Sequence, residues 1–325
     1  MKKRTILITG VCGCIGSHLL DELLSRGERV VGIDNLSYGK IDHIQSHLKN
    51  PDFKFYKIDV RDLGALRSKI KKADIILHTA SVKKVGESQS AIPTLNVNAI
   101  GSENLLKLAH AKKSKIIIFS TSDVYGLSND LPFREDRNCV IGPSTAKRWA
   151  YAISKLYSEQ IALSYYKDFG VPVVVLRYFG VFSERSSTGW SGGPIPMFTK
   201  AILKGEPVTI HGDGSQTRCM GYVDDTVRGT ILAMDNPKAV GEIINIGNHE
   251  ETSILQTAKL IHKLSGVKHP LKLKFVPMKK IFGTYREIPR RVPSLAKARN
   301  MLGYRAQVSY REGLKRVIDH TKSLL

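Results

Sequence analysis

Thr9-Gly10-Val11-Cys12-Gly13-Cys14-Ile15-Gly16-Ser17-His18-Leu19 stands directly after a short β-branched run at residues 4–9 and opens a helical pattern at residues 15–26. Three glycines at this spacing, between a first strand and a first helix, let the backbone approach a pyrophosphate whose charge sits on the helix N-terminus. The bland alternative is a tight turn, but the position after the first strand argues for the phosphate reading. Eighteen residues past Gly16, Asp34 closes the second strand (residues 29–33), where a carboxylate would bond both hydroxyls of an adenosine ribose. Asn35 follows, with no arginine next to it to welcome a 2′-phosphate, so the loop favours NAD over NADP. Asp59, at the end of residues 53–58, falls where such folds contact adenine; it could equally cap the helix starting near Leu63.

Outward from the loop, strands and helices alternate. Strands are read at residues 53–58, 74–78, 115–120 and 171–176, and helices at 63–71, 91–111 and 148–169. Ile116-Ile117-Ile118-Phe119 and Val173-Val174-Val175-Leu176 are continuous apolar runs, as in strands covered on both faces. The fold class is therefore α/β, a Rossmann-like doubly wound parallel sheet with right-handed crossovers. After Arg177 the rhythm changes: a loop at 180–196, a helix at 197–204, a strand at 208–211, a helix at 225–234, a strand at 242–246, and a helical, proline-punctuated end. Residues 1–178 read as the NAD-binding domain, with part of 208–248 returning to it. Residues 179–325 read as a smaller, interleaved substrate region.

Composition narrows the class. The chain has 325 residues, with 42% hydrophobic and 24% charged, ordinary for a globular protein. No apolar run reaches the ~20 residues of a membrane span, and no secretory signal is visible. Cys12, Cys14, Cys139 and Cys219 show no metal or disulfide spacing, so the expectation is a cytoplasmic protein with no metal and no membrane partner. The net charge of +21 comes from scattered lysines, with no basic tail or aromatic-interleaved stretch for stacking bases. It is read as a solvated surface that also attracts an anionic substrate, not as a nucleic-acid interface.

Tyr151 and Lys155 lie four apart on the helix at 148–169 and share a face. A phenol beside a fixed ammonium is a candidate general base, because the cation favours phenolate. By spacing alone the pair fits a solvated helix face as well. With the glycine loop, Asp34 and Y-x-x-x-K in order, the sequence resembles the extended short-chain dehydrogenase/reductases, and most of all the nucleotide-sugar epimerase/dehydratase group. Leu77-His78-Thr79-Ala80, Asn96-Val97-Asn98, Ser120-Thr121-Ser122-Asp123-Val124-Tyr125-Gly126, His211-Gly212-Asp213-Gly214 and Tyr222-Val223-Asp224-Asp225 extend the likeness over nearly the whole chain.

The resemblance implies catalysis by Thr121, Tyr151 and Lys155, with Asp123 beside them. It implies NAD contacts from Gly10, Gly13, Cys14, Ile15, Gly16, Asp34, Asn35, Asp59, Val60, Thr79, Ala80, Asn98, Tyr151 and Lys155. For the nucleotide sugar it implies Lys83, Ser122, Phe179, Gly180, Arg185, Arg218, Arg286 and Arg290, with Arg291 an alternative. Tyr151 would take the proton of a sugar C4 hydroxyl as hydride leaves for NAD⁺. Return of hydride to the other face makes a 4-epimerase; loss of a C6 carboxylate makes a decarboxylase; loss of water makes a dehydratase.

Three features weigh these outcomes. Asp123 is one methylene shorter than the glutamate that decarboxylases and other dehydratases usually carry. Lys83-Lys84-Val85-Gly86-Glu87-Ser88 resembles a segment of UDP-galactose 4-epimerases, and Tyr285-Arg286-Glu287-Ile288-Pro289-Arg290-Arg291 resembles one of epimerase-like members. The ranking puts the 4-epimerase of a UDP-hexose or UDP-hexuronate first and UDP-glucuronate decarboxylase or dehydratase second. A non-catalytic NAD-binding regulatory protein is the distant alternative. Gly180 replaces the family's usual asparagine, Arg185 could pair a uronate carboxylate, and Trp190-Ser191-Gly192-Gly193 reads as a lid. The resemblance also implies a homodimer through the helices at 91–111 and 148–169.

Overall fold

The computed structural model describes residues 3–83, 90–187, 189, 192–282 and 287–325. The first half lays down six strands: β1 (Thr5–Thr9), β2 (Arg29–Asp34), β3 (Phe53–Lys57), β4 (Ile75–His78), β5 (Lys115–Thr121) and β6 (Val173–Tyr178). Between them run α1 (Cys14–Ser25), α2 (Leu63–Lys69), α3 (Ile92–Lys112) and α4 (Ala150–Phe169). The second half adds β7 (Val181–Phe182), α5 (Pro194–Leu203), β8 (Val208–His211), β9 (Thr217–Cys219), β10 (Gly221–Tyr222), α6 (Val223–Asp235) and β11 (Ile243–Ile246). Then follow β12 (Glu251–Ser253), α7 (Ile254–Ser265), β13 (Leu273–Val276), α8 (Met278–Phe282), β14 (Arg290–Arg291), α9 (Ala296–Leu302) and α10 (Tyr310–Ser323).

The main sheet has seven strands in the order β11-β6-β5-β4-β1-β2-β3, and every pairing in it is parallel. Parallel neighbours need crossovers, and the helices that supply them cover both faces. This is the doubly wound, Rossmann-like sheet expected from the alternating runs. The side chains of β5 and β6 show why those runs are apolar throughout: successive residues enter two different cores. Ile117, Phe119, Val174 and Leu176 belong to one, and Ile116, Ile118, Val173 and Val175 to the other. The strand order reverses between β1 and β4, so the carboxyl ends of these strands open a crevice there.

Beyond Tyr178 the chain leaves the sheet, builds small pairings of its own (β13 with β8; β12-β9-β14), and returns as β11 beside β6. The part from residue 253 onward is not only helical, as its pattern suggested, because β13 and β14 lie within it and β12 ends at its start. Those strands have two to four residues and pair with partners far away in sequence, so no local period announces them. α5 begins at Pro194, three residues before the expected start, with proline in the first turn, where its missing N–H costs nothing.

Candidate active site

At the end of β1 the chain turns through the glycine loop into α1, with Gly13 as N-cap and no side chain capping the helix. A Cβ on Gly16 would fall 2.2 Å from the carbonyl oxygen of Gly10, so only glycine permits this turn. The first-turn amides of α1, which no side chain caps, would meet an anion with the positive end of the helix dipole. Asp34 lies at the end of β2, its carboxylate accepting from the amides of Cys12 (3.0 Å) and Leu36 (2.8 Å). Burial raises its pKa and these two amides oppose the rise. Asn35 donates to Asp59 at 2.9 Å. Asp59 also takes the Arg61 guanidinium (2.8 Å), whose hydrogen bonds hold it well below the usual carboxylate range. The cap of α2 is Asp62, which accepts from Ala65, so Asp59 is not the helix cap.

Beside the loop, Thr79 donates to the carbonyl of Thr9 at 2.6 Å, and the Ala80 amide donates to the Thr9 hydroxyl at 3.1 Å. Val60 is buried against Gly101, and Ile15 lines the cavity described below. Asn98 accepts from the Val82 amide (2.8 Å) and donates to the Val82 carbonyl (3.0 Å) and the Ser154 hydroxyl (2.9 Å). It thereby ties the segment after β4 to α4. The residues fit NAD: an uncapped helix start for pyrophosphate, and a carboxylate for the ribose.

Next to this cradle is a cavity of about 420 Å³. Thr121, at the carboxyl end of β5, lines it together with Tyr151 and Lys155 of α4. The hydroxyls of Thr121 and Ser81 act on the Tyr151 phenol and work to lower its pKa. Lys155 is turned to the Phe119 carbonyl, 2.8 Å away. Burial lowers the Lys155 pKa to about 8, with Glu159 opposing. In the protein alone Tyr151 is not the activated phenol that the spacing suggested: burial, then the charge of Asp123, pushes its pKa up. The lysine is spent on a backbone carbonyl and does not outweigh the lost solvation.

Asp123 is fully buried and gathers three cations. Arg148 lies at 2.9 Å, Lys83 at 3.0 Å, and Arg291 donates to the same oxygen as Arg148. Burial works to raise its pKa, but Arg291, Lys83 and Arg148 together hold it well below the carboxylate range. So Asp123 is an ionised anchor, unable to work as a base at C5 while this cluster stands.

The remaining predicted positions divide. Lys83, Ser122, Phe179, Gly180 and Arg218 line the cavity. Arg218 donates to Glu287 at 2.9 Å and to the Ile288 carbonyl at 3.0 Å. Gly180 has φ +22°, and a Cβ there would meet the Met220 side chain at 2.7 Å. Arg185 and Arg290 are not at the cavity. Arg185 pairs with Asp21 of α1 at 2.7 Å, because the turn after β7 docks on that helix. Arg290 is paired with Glu251 at 2.8 Å on the surface. Arg286, the segment at 84–88, and Trp190 and Ser191 lie outside the described residues; Gly192 and Gly193 border the cavity.

Arg148, Ser81, His211 and Glu287 also line it, and the sequence reading passed over them. For Arg148 a signal existed: it stands three residues before Tyr151, one helical turn away.

Residues 6–247 match the model of the NAD dependent epimerase/dehydratase family, and the chain belongs to that family. It is an NAD-dependent enzyme of the UDP-sugar epimerase/decarboxylase group. The UDP-N-acetyl-alpha-D-glucosaminuronate decarboxylase of Bacillus cytotoxicus is 38% identical over 98% of both chains. The solved UDP-glucuronic acid 4-epimerase of Bacillus cereus, in complex with UDP-glucuronic acid and NAD, is 32% identical. It covers 99% of this chain and all of its own, with a TM-score of 0.86. The UDP-glucose 4-epimerase of Thermus thermophilus, solved with NAD, is 26% identical over 99% of this chain and all of its own, with a TM-score of 0.85.

Proposed function

We propose that the chain is a UDP-hexuronate decarboxylase acting through a 4-keto sugar. The observation that carries this reading is the Asp123 cluster beside Tyr151. Three cations against one carboxylate suit a sugar whose C6 is itself a carboxylate. The ionised Asp123 keeps those cations partly occupied, so a C6 carboxylate would be located without being neutralised, and its departure as carbon dioxide relieves the repulsion. The Bacillus cytotoxicus relative, a decarboxylase of a UDP-hexuronate by its name, supports the same choice.

NAD⁺, when bound, supplies the hydride acceptor for C4. Tyr151 takes the C4 hydroxyl proton, and Thr121 holds the same oxygen. The ketone then lies β to the C6 carboxylate. As the C5–C6 bond breaks, its electron pair moves into C4–C5 and negative charge reaches the C4 oxygen. There the hydroxyls of Tyr151 and Thr121 stabilise it, an oxyanion-hole arrangement. Protonation at C5 and return of hydride to C4 complete a pentose. Residues 1–178 would hold NAD and 179–325 the nucleotide sugar. A homodimer through α3 and α4 belongs to the reading, supported by the exposed Ile100, Ile153 and Tyr157, as does a cytoplasmic site of action.

A second reading, UDP-hexuronate 4-epimerase, is favoured by the excess of cations: a carboxylate gripped by them is stabilised and kept. The Bacillus cereus neighbour supports it. Dehydration at C5–C6 is least supported, since it needs a base where Asp123 has lost its basicity. The purified protein should convert UDP-glucuronate or UDP-N-acetylglucosaminuronate with release of an isotopically labelled carboxyl carbon as carbon dioxide, followed by NMR. A C4 epimer that retains its label would replace the decarboxylase reading with the second one.

A further inference from the structure

When carbon dioxide leaves a 4-keto hexuronate, C5 is left with the electron pair and needs a proton from the protein. Few groups at the cavity can give one at neutral pH. Guanidinium ions hold their protons, which removes Arg148, Arg291 and Arg218 as donors. Asp123 is ionised, and Tyr151 is engaged at the C4 oxygen. Lys155 is committed to the Phe119 carbonyl at 2.8 Å. His211 is kept neutral, since burial lowers its pKa despite the nearby Glu287.

Lys83 differs from all of these. Its side chain is 39% exposed and lines the cavity. Its ammonium stands 5.1 Å from the centre of the Tyr151 ring and 3.0 Å from Asp123. It therefore borders the space where Tyr151 fixes C4 and where the neighbouring carbon must lie. The charged groups facing it are Asp123, Arg148 and Arg291. Burial lowers its pKa, Asp123 opposes, and the two arginines add to the lowering. That direction eases proton release from an ammonium already placed beside Tyr151 at the cavity.

We infer that Lys83 is the proton donor to C5, a role that rests on the decarboxylase reading. In this step the C4–C5 electron pair takes a proton from the Lys83 ammonium, the C4 oxygen returns to a ketone, and the resulting amine is reprotonated from solvent. Asp123 is then a positioning residue, holding the ammonium at the sugar and keeping it charged between turnovers.

The test runs the holoenzyme, Lys83→Arg and Lys83→Met in heavy water with a UDP-hexuronate, following three signals. These are NADH appearance in a single turnover, carbon dioxide release, and the configuration of deuterium at C5 of the product. Wild type should place one deuterium in a single configuration. Both variants should still form NADH, while pentose formation drops roughly 10²–10⁴-fold and deuterium enters C5 in both configurations. The arginine variant preserves the positive charge, so a purely electrostatic or structural role for Lys83 would leave it near wild type. Retention by Lys83→Arg of both the rate and the single configuration would overturn the donor role alone. Absence of carbon dioxide from wild type with every UDP-hexuronate would overturn the decarboxylase reading, and the donor role with it.

Discussion

Glu159 and Arg177 form a buried pair behind the cavity, with Arg177 Nη2 2.7 Å from Glu159 Oε2 and Nε 3.0 Å from Oε1. Glu159 lies four residues after Lys155 and eight after Tyr151, on the same face of α4. It also accepts from Ser120, the residue before Thr121. One carboxylate thus fastens the helix of Tyr151 and Lys155 to the strand end of Thr121. Both side chains are nearly inaccessible, at 4% and 2%, so removing one leaves the other as an uncompensated charge. Arg177→Met should lower stability by about 3–5 kcal/mol, read from urea denaturation. Adding Glu159→Gln should restore part of that loss. A single variant within about 1 kcal/mol of wild type, as for an exposed pair, would refute the account.

Asp34 presents its carboxylate beside the glycine loop, already holding the amides of Cys12 and Leu36. Asp34→Asn removes the charge while keeping the shape. Loss of charge-assisted bonds to the ribose hydroxyls, worth about 1.5–3 kcal/mol, should weaken NAD binding roughly 10–100-fold in calorimetric titration. The preference for NAD over NADP should shrink with it. Unaltered NAD affinity would mean that the ribose is held elsewhere.

His78 is buried between the hydroxyls of Thr9 (2.8 Å) and Ser102 (3.2 Å), and burial, then Lys155, lowers its pKa from 6.5 to about 3. The unfolded chain therefore binds a proton that the fold refuses anywhere between those values. Stability from this group is intact above pH 6.5 and is lost progressively as pH falls towards 3. His78→Gln keeps hydrogen-bonding capacity without titrating. The drop in urea midpoint between neutral and mildly acidic buffer should be smaller for the variant than for wild type. Equal drops would show that the acid sensitivity comes from carboxylates alone.

The contrast between readable and hidden residues follows from sequence distance. The glycine loop, Asp34 and the Tyr151–Lys155 pair are local patterns tied to one strand–turn–helix or one helix face, and a sequence displays such patterns directly. The Asp123 cluster is assembled by the tertiary fold: Lys83 comes from the segment after β4, Arg148 from the turn before α4, and Arg291 from β14, 168 positions along the chain. Nothing in spacing connects them. The same distance misled the choice among arginines, since Arg290 and Arg291 are adjacent but on opposite sides of a short strand. One meets Glu251 at the surface and the other meets Asp123 in the cavity.

That division makes the arginines the place where sequence and structure disagree most usefully. Arg218 lines the cavity and is held by Glu287 and the Ile288 carbonyl, a fixed cation suited to a diphosphate. Arg185, which the sequence offered as a partner for a uronate, spends its charge on Asp21 of α1. Arg218→Ala should raise KM for the nucleotide sugar roughly tenfold or more, as expected for losing a charged hydrogen bond. Its effect should weaken as salt screens the anion. Arg185→Ala should leave KM near wild type and lower thermal stability slightly, as for a partly exposed ion pair. Steady-state kinetics at two ionic strengths separate the cases, and a large KM increase for Arg185→Ala with little change for Arg218→Ala would reverse the assignment.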